Sequence, residues 1–295
     1  MSDYILSCES AVDLTQEHLE RRKVHCICYS YELDGTRYQD DLWQTISGAA
    51  FYQAMEEGAE TKTSQMNATE YEEYFSGFLT AGKDILHLCL SSGITGTINS
   101  ARAAVEALRE TYPKRKIYLV DSLAASSGFG LLMDRLADLR DSGMTLEELA
   151  RWAEENKRRV HHWFFSTDLT FYIKGGRISK TAGTVGTLLG ICPLLNVSAD
   201  GRLVPREKLR SKKQVIRAIV EKMALLAEDG ADYAGSCYIS HSASEKDARQ
   251  VAELVEARFP RLKGRVEVNS IGPTIGSHTG PGTVALFFWG RPRAD

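Results

Sequence analysis

The sequence predicts an α/β protein of two lobes, a mostly parallel α/β sheet in the N-terminal part and an α+β lobe after it. Short apolar runs alternate with helical periodicity through the first half of the chain, the pattern of a parallel sheet covered on both faces. In the second half, β-type runs lie closer together and helices are fewer, which points to a mixed sheet. A length of 295 residues, with 43% hydrophobic and 25% charged residues, suits two lobes of a globular protein. The division expected is 1–158 and 159–295.

In order, residues 4–8 read as a first strand and residues 9–15 as a loop entering a helix. Residues 24–33 form one long β-type run, ended by Asp34-Gly35, a hairpin signal. A helix is expected from about Ser47 to Glu56. Residues 61–69 are a polar loop rich in hydroxyls, and Thr69 with Glu72 has capping-box spacing. Residues 84–90 make a buried strand. After it, Ile98, Ala101, Val105, Leu108 and Tyr112 recur at helical spacing until Pro113 stops the helix. Residues 117–120 are a strand, and the next helix places Leu131, Leu132, Leu136 and Leu139 on one face. Thr145 with Glu148 caps a further helix running to about Arg159.

In the second lobe, residues 163–166 are a strand closely followed by 171–179, and residues 185–189 predict a short apolar helix. Asp200-Gly201 turns a hairpin between strands at 191–197 and 202–205. Ser211 with Gln214 caps a helix whose Val215, Ile216, Ile219, Val220, Met223 and Leu226 form one core-facing stripe. Strands at 233–240, 266–271 and 284–289 and a helix at 245–259, closed by Pro260, complete the chain.

Several chemistries lack their sequence signals. The cysteines Cys8, Cys26, Cys28, Cys89, Cys192 and Cys237 sit mostly in apolar runs without a C-x-x-C pair, so reduced core thiols are expected rather than disulfides or zinc ligands. His161 and His162 are consecutive and on a strand face opposite ways, which also disfavours zinc. No phosphate-binding G-x-x-x-x-G-K-[ST] loop occurs, so the chain is not expected to bind ATP itself. No nucleophile elbow occurs either, and Ser277 beside His278 is not a hydrolase arrangement. No apolar run approaches the roughly 20 residues of a membrane helix. The polar start, without a basic-then-apolar signal, predicts a cytoplasmic address.

Charge is uneven. Residues 1–158 carry 16 basic and 26 acidic groups, net −10, and residues 159–295 carry 20 and 13, net +7. Such lobes attract one another across a cleft. No basic cluster is interleaved with stacking aromatics, so nucleic acid is not an expected partner.

Two stretches concentrate special backbone and polar groups. Ser91-Ser92-Gly93-Ile94-Thr95-Gly96-Thr97 joins a strand to a helix, where hydroxyls and unpaired N–H groups can seat an anion. Read as structure alone, it is a Ser/Thr-rich turn with an N-cap. Residues 272–282 hold four glycines and two prolines around His278. That histidine is either a hydrogen-bonded loop residue or a donor and proton shuttle near a bound anion.

On four stretches the sequence resembles the DegV family of bacterial fatty-acid-binding proteins, the acyl-carrier subunits of fatty acid kinases. They are Thr63-Ser64-Gln65, the Ser-Ser-Gly-Ile-Thr-Gly-Thr run from Ser91, Tyr172-Ile173-Lys174-Gly175-Gly176-Arg177-Ile178, and residues 272–282. The resemblance implies one long-chain fatty acid held between two α/β lobes, its tail in an apolar tunnel. It implies Thr63 or Ser64, and Ser92 with its loop neighbours Gly93 and Thr95, around the carboxylate, with His278 and Thr279 close to the head group. Arg177, and more remotely Arg206 and Arg210, would serve the head group or the docking face of a partner. That partner is an ATP-dependent fatty acid kinase making acyl phosphate for phospholipid synthesis, with room for transient contact with a membrane surface. No catalytic residue, cofactor or metal is implied for this chain. The competing reading is an acyl hydrolase or transferase using the same cleft. Two positions depart from the family: Met66-Asn67 stands where Pro-Ser is usual, and Glu9-Ser10 where Asp-Ser often follows the first strand.

Overall fold

The structure, a computed structural model, describes residues 4–179 and 191–294. The expected helix at 185–189 lies outside the described residues. The first sheet contains β1 (Tyr4–Glu9), β2 (Val24–Ile27), β6 (Asp84–Cys89) and β7 (Ile117–Asp121), in the order β2-β1-β6-β7 and parallel throughout. Its crossovers contain α1 (Gln16–Arg21), α3 (Ala68–Thr80) and α4 (Thr97–Thr111), and α5 (Ser126–Asp141) and α6 (Leu146–Asn156) follow β7 on the way to the second sheet. The expected Thr145–Glu148 capping box forms at the start of α6.

Residues 24–33 are not one strand. After β2 the chain bends at Cys28 and Tyr29 into a separate antiparallel sheet of β3 (Ser30–Leu33), β4 (Thr36–Gln39) and β5 (Thr61–Ser64), ordered β4-β3-β5. The bend is fixed by Tyr29, whose N–H donates to Ser10 Oγ at 3.1 Å and whose hydroxyl donates to Glu9 at 2.8 Å. Asp34 and Gly35 both take positive φ at the β3–β4 turn, as the hairpin signal predicts. Thr63 and Ser64 therefore lie in β5, not in a loop. The cap of α3 is also shifted. Asn67 accepts from Glu70 N–H at 3.0 Å and Glu70 accepts from Asn67 N–H at 2.8 Å, so the box is Asn67–Glu70 rather than Thr69–Glu72. Asn at this position completes the box two residues earlier than Thr69 would.

The second sheet has six strands, β8 (Val160–Ser166), β9 (Cys192–Val197), β10 (Leu203–Leu209), β11 (Cys237–His241), β12 (Val266–Ser270) and β13 (Thr283–Trp289), in the order β10-β9-β8-β13-β11-β12. Only the β11–β12 pair is parallel. Pro205 lies on the edge strand β10, where a missing N–H is tolerated. Helices α8 (Lys212–Leu226) and α9 (Glu245–Arg258) pack on this sheet, α8 on the buried stripe the spacing predicts. Short helices α2 (Gly48–Glu56) and α7 (Thr170–Lys174) complete the set with α10 (Pro273–Thr279). The glycine-rich stretch expected as a loop thus contains a helix. Pro273 sits in its first turn, where a missing N–H costs nothing.

One apolar core joins the two main sheets. It runs from Leu6, Leu86 and Leu88 through Phe129, Leu132 and Leu136 of α5 to Val160, Phe165 and Phe288. In α5, Gly128 and Gly130 have intrinsic helix propensities about 1 kcal/mol below that of Ala, though a Cβ at Gly128 would lie 2.4 Å from His162 Nε2. Burial of its large side chains contributes roughly 1.5–3 kcal/mol apiece, so packing decides that α5 is helical. No helix among the described residues is long and apolar enough to cross a membrane.

Candidate functional site

Strand alternation builds an apolar cavity, open on one side, against one face of the six-stranded sheet. His162 and Phe164 of β8 stand opposite Phe287 and Ala285 of β13 in register, and Thr283 lies two residues before Ala285. Val197 and Leu203 extend this face across the β9–β10 hairpin, while Ala125, Ser126, Ile94, Ile271 and Ile275 close the other side. The space between these side chains amounts to about 580 Å³, part of it open to solvent. His162 brings no charge to it. Burial holds its pKa well below the usual value, its Nδ1 lies 3.2 Å from Val160 O, and its Nε2 accepts from Ala125 N–H at 3.3 Å.

The functional groups gather at one corner of the cavity, where Tyr172, Arg177, His278 and Thr279 line it. Helix α10 delivers His278 in its last turn, and the turn after α7 delivers Arg177. Gly175 permits the approach: a Cβ there would lie 2.5 Å from His278 Nδ1. Arg177 Nη1 lies 3.4 Å from His278 Nδ1, and His278 Nε2 lies 2.7 Å from Thr63 Oγ1. A guanidinium can only donate, so Nδ1 accepts and the ring proton is on Nε2, donating to Thr63. The Thr63 hydroxyl proton is then free to donate onward. Burial, and secondarily the Arg177 charge, lower the His278 pKa to about 4, so the ring is neutral at pH 7. Burial also lowers the Arg177 pKa. Arg177 donates to Gly175 O at 2.6 Å, but its buried Nε has no hydrogen-bond partner among the described residues.

Sequence-predicted residues divide into three groups. Thr63, Arg177 and His278 are connected, with Thr279 beside them. Ser64 follows Thr63 on β5, so it points to the opposite face and is exposed. From the loop after β6, Ile94 is the residue that reaches the cavity. Ser92 is exposed, and its N–H donates to Asp121 at 3.1 Å. Gly93 packs on the Asp200–Gly201 turn, where a Cβ would lie 2.6 Å from the Gly201 carbonyl carbon, and buried Thr95 bonds Thr97 at 2.9 Å. Arg206 and Arg210 are exposed on β10 and just after it, Arg206 donating to Asn196 at 2.8 Å. Ser277 Oγ donates to Pro273 O at 2.7 Å within α10, so it is not paired with His278 as a nucleophile.

Sequence reasoning missed Ser126 and His162. Ser126 has a positive φ, lines the cavity and donates to Asp13 Oδ2 at 2.5 Å. The period-2 pattern of residues 162, 164, 283, 285 and 287 was present, but both faces of these strands are buried and apolar, which hides the alternation.

Fold and cavity together define a two-lobed α/β protein with an apolar cavity and a polar corner. The chain belongs to the DegV family: the family model described as "uncharacterised protein, DegV family" matches residues 6–291. A DegV domain-containing protein of Clostridium perfringens is 33% identical over 290 residues, which is 98% of each chain. A solved Thermus thermophilus structure, described as fatty acid binding of a DegV family protein, is 27% identical with a TM-score of 0.85, covering 98% of this chain and 99% of that one. The Streptococcus pneumoniae fatty acid kinase B3 protein, solved loaded with linoleic acid, shares the fold at 22% identity and a TM-score of 0.83, over 98% of this chain and 99% of that one.

Proposed function

We propose that this chain binds one long-chain fatty acid in the cavity, with its carboxylate at the Thr63–His278–Arg177 corner, and presents it to a separate ATP-dependent fatty acid kinase. The observation that carries this reading is the hydrogen-bonded series Arg177–His278–Thr63 at the edge of an otherwise apolar cavity. The fatty acids named for the Thermus and pneumococcal relatives support the ligand class, and the pneumococcal protein's place in a fatty acid kinase supports the partner.

The roles follow from the chemistry. Arg177 fixes the tautomer of His278, and His278 orients Thr63 so that its hydroxyl proton meets a carboxylate oxygen. Thr279 extends the polar rim, Gly93 and Thr95 hold the loop that carries Ile94 to the cavity, and the exposed hydroxyl of Ser92 on that loop is left to meet the head group. Neutral donors leave one carboxylate oxygen reachable by a phosphoryl donor, whereas a bidentate arginine would occupy both. The lobes, taken as 1–158 and 159–295, both contribute, Thr63 and Ile94 from the first and Arg177, His278 and Thr279 from the second. Arg206 and Arg210 stand on the exposed face where a kinase would dock. The tail supplies the affinity. At about 0.8 kcal/mol per CH₂, a chain of roughly sixteen carbons supplies on the order of 10 kcal/mol before ordering costs.

The test is a binding and transfer assay. The protein should take up a long-chain fatty acid more tightly than the alcohol or methyl ester of equal length. With a bacterial fatty acid kinase and ATP, the bound acid should become acyl phosphate, and the protein alone should turn over no acyl ester. Equal uptake of acid and alcohol would remove the polar corner from the site. Hydrolysis of an ester by the protein alone would make it an enzyme instead.

A further inference from the structure

A second cluster of chemistry-bearing side chains lies inside the parallel sheet, and the cavity does not use it. Ser7 pairs with His87 in register, so two residues further on Glu9 and Cys89 stand side by side at the carboxyl ends of β1 and β6. Side chains two apart on a strand share a face, so these four point the same way, and all are completely buried. The rings of Tyr71 and Phe75 pack around His87 on that face. The spacing rules for zinc ligands miss this group because one donor comes from a strand far away in sequence.

Glu9, His87 and Cys89 each offer one donor atom, and these atoms all lie within 4.8 Å of one another. His87 Nε2 is 3.7 Å from Glu9 Oε1 and has no hydrogen-bond partner among the described residues. Its Nδ1 is held 2.9 Å from Ser7 Oγ, which is itself 2.7 Å from the Tyr74 hydroxyl, the outer support usual for a ligating imidazole. Among the described residues the Glu9 carboxylate receives only neutral donors, the Tyr29 hydroxyl at 2.8 Å, the Tyr71 hydroxyl at 2.5 Å and the Leu90 N–H at 2.8 Å. A buried carboxylate facing an orphan imidazole nitrogen calls for an electropositive centre between them, either the hydrogen of a neutral Nε2–H or a metal ion. The third donor separates these cases. Cys89 adds nothing to an imidazole–carboxylate contact, but it completes a nitrogen, oxygen and sulfur set of the kind zinc takes. Zinc, with ligands at about 2.0–2.3 Å, needs donors roughly 3.3–3.7 Å apart, which His87 Nε2 and Glu9 Oε1 meet at 3.7 Å. The three donors leave the fourth tetrahedral position to a water or a neighbouring hydroxyl.

We propose that Glu9 Oε1, His87 Nε2 and Cys89 Sγ bind one divalent transition metal ion, zinc by donor class. On binding, the Cys89 thiol releases its proton to solvent, and carboxylate, thiolate and dication sum to zero buried charge. The ion ties β1 to β6 where the chain enters the loop at Leu90, whose N–H already rests on Glu9.

The test uses the full chain, stripped with a chelator and titrated with Co²⁺ alone. The expected result is a tetrahedral cobalt spectrum with a thiolate charge-transfer band, saturating at about one equivalent and displaced by Zn²⁺. Cys89→Ala should abolish the charge-transfer band. His87→Gln should weaken cobalt binding by more than the 10–100-fold lost when an outer partner is removed. Cys26→Ala should leave the band intact. Failure of the wild-type chain to take up cobalt would overturn the proposal whatever the variants do, and would leave His87 Nε2 facing Glu9 with a hydrogen of its own. A band that survives Cys89→Ala, or that Cys26→Ala removes, would place the metal elsewhere and overturn it equally.

Discussion

Two stretches rich in glycine and hydroxyl groups, the loop after β6 and the segment containing α10, read alike in the sequence but are used differently. In the first, the polar atoms are mostly consumed within the chain. Ser91 Oγ donates to Gly201 O at 2.8 Å and accepts from Gly93 N–H at 3.1 Å, and Thr95 bonds Thr97. The loop is a joint between the lobes, and only Ser92 keeps an exposed hydroxyl unspent. In the second, the near end of α10 is anchored by acids, with Gly272 N–H on Asp13 at 2.9 Å and Thr274 N–H on Asp40 at 3.3 Å. Its far end carries His278 to the cavity corner. Composition marks a stretch as special, and the partners of each polar atom decide whether it is joint or site.

The largest effect should come from breaking the joint. In Gly201→Ala the new Cβ would collide with Ser91 Oγ at a backbone φ of +80°, so about 3 kcal/mol or more of stability should be lost. Denaturant unfolding measures it, and an unchanged midpoint would show that the loop does not join the lobes. The next effect tests the site end. His278→Ala should keep its bound lipid but lower acyl-phosphate formation with the kinase at least tenfold, because the tail supplies affinity and the head group supplies position. Complete loss of lipid in this variant would contradict that division of labour.

Smaller effects sharpen the contrast. Thr63→Val removes one hydrogen bond and should weaken fatty acid binding by about 1 kcal/mol, roughly fivefold, in a titration. Ser92→Ala should change head-group fixation only a few-fold and stability by less than about 0.5 kcal/mol. Unchanged affinity and transfer would take Ser92 out of the site.

A pH titration examines the corner directly. The folded pKa of His278, about 4, lies below the ordinary 6.5, so the folded state resists protonation. Its contribution to stability is present above about pH 6.5 and is lost as pH falls toward 4. A bound carboxylate favours the imidazolium and should raise this pKa, so ligand binding should tighten on acidification. Ring NMR of the empty and loaded protein checks this. A His278 that titrates near 6.5 in both would mean that the ring is not buried as described.

Much of the fold was legible because local signals agreed with it. The Thr145–Glu148 box, the Asp34-Gly35 and Asp200-Gly201 turns and the stripe on α8 all act within a few residues. The split of residues 24–33 was not legible, since both halves are β-type and only Tyr29, tied to Glu9 and Ser10, marks the bend. Helix α10 was hidden by its length of seven residues and by glycines that serve its packing. At the site, residue types for an acidic head group could be read. The solvated position of Arg206 and Arg210 agrees with their basic, polar surroundings in sequence, but that Arg177 reaches His278 could not be read, because it depends on which strands and turns meet.

Native mass spectrometry of the purified protein, followed by solvent extraction of what it carries, tests the central claim most directly. The account predicts a stoichiometric long-chain fatty acid and its chain length from the same sample. A protein that arrives empty and takes up no added fatty acid would contradict the carrier function while leaving the fold in place.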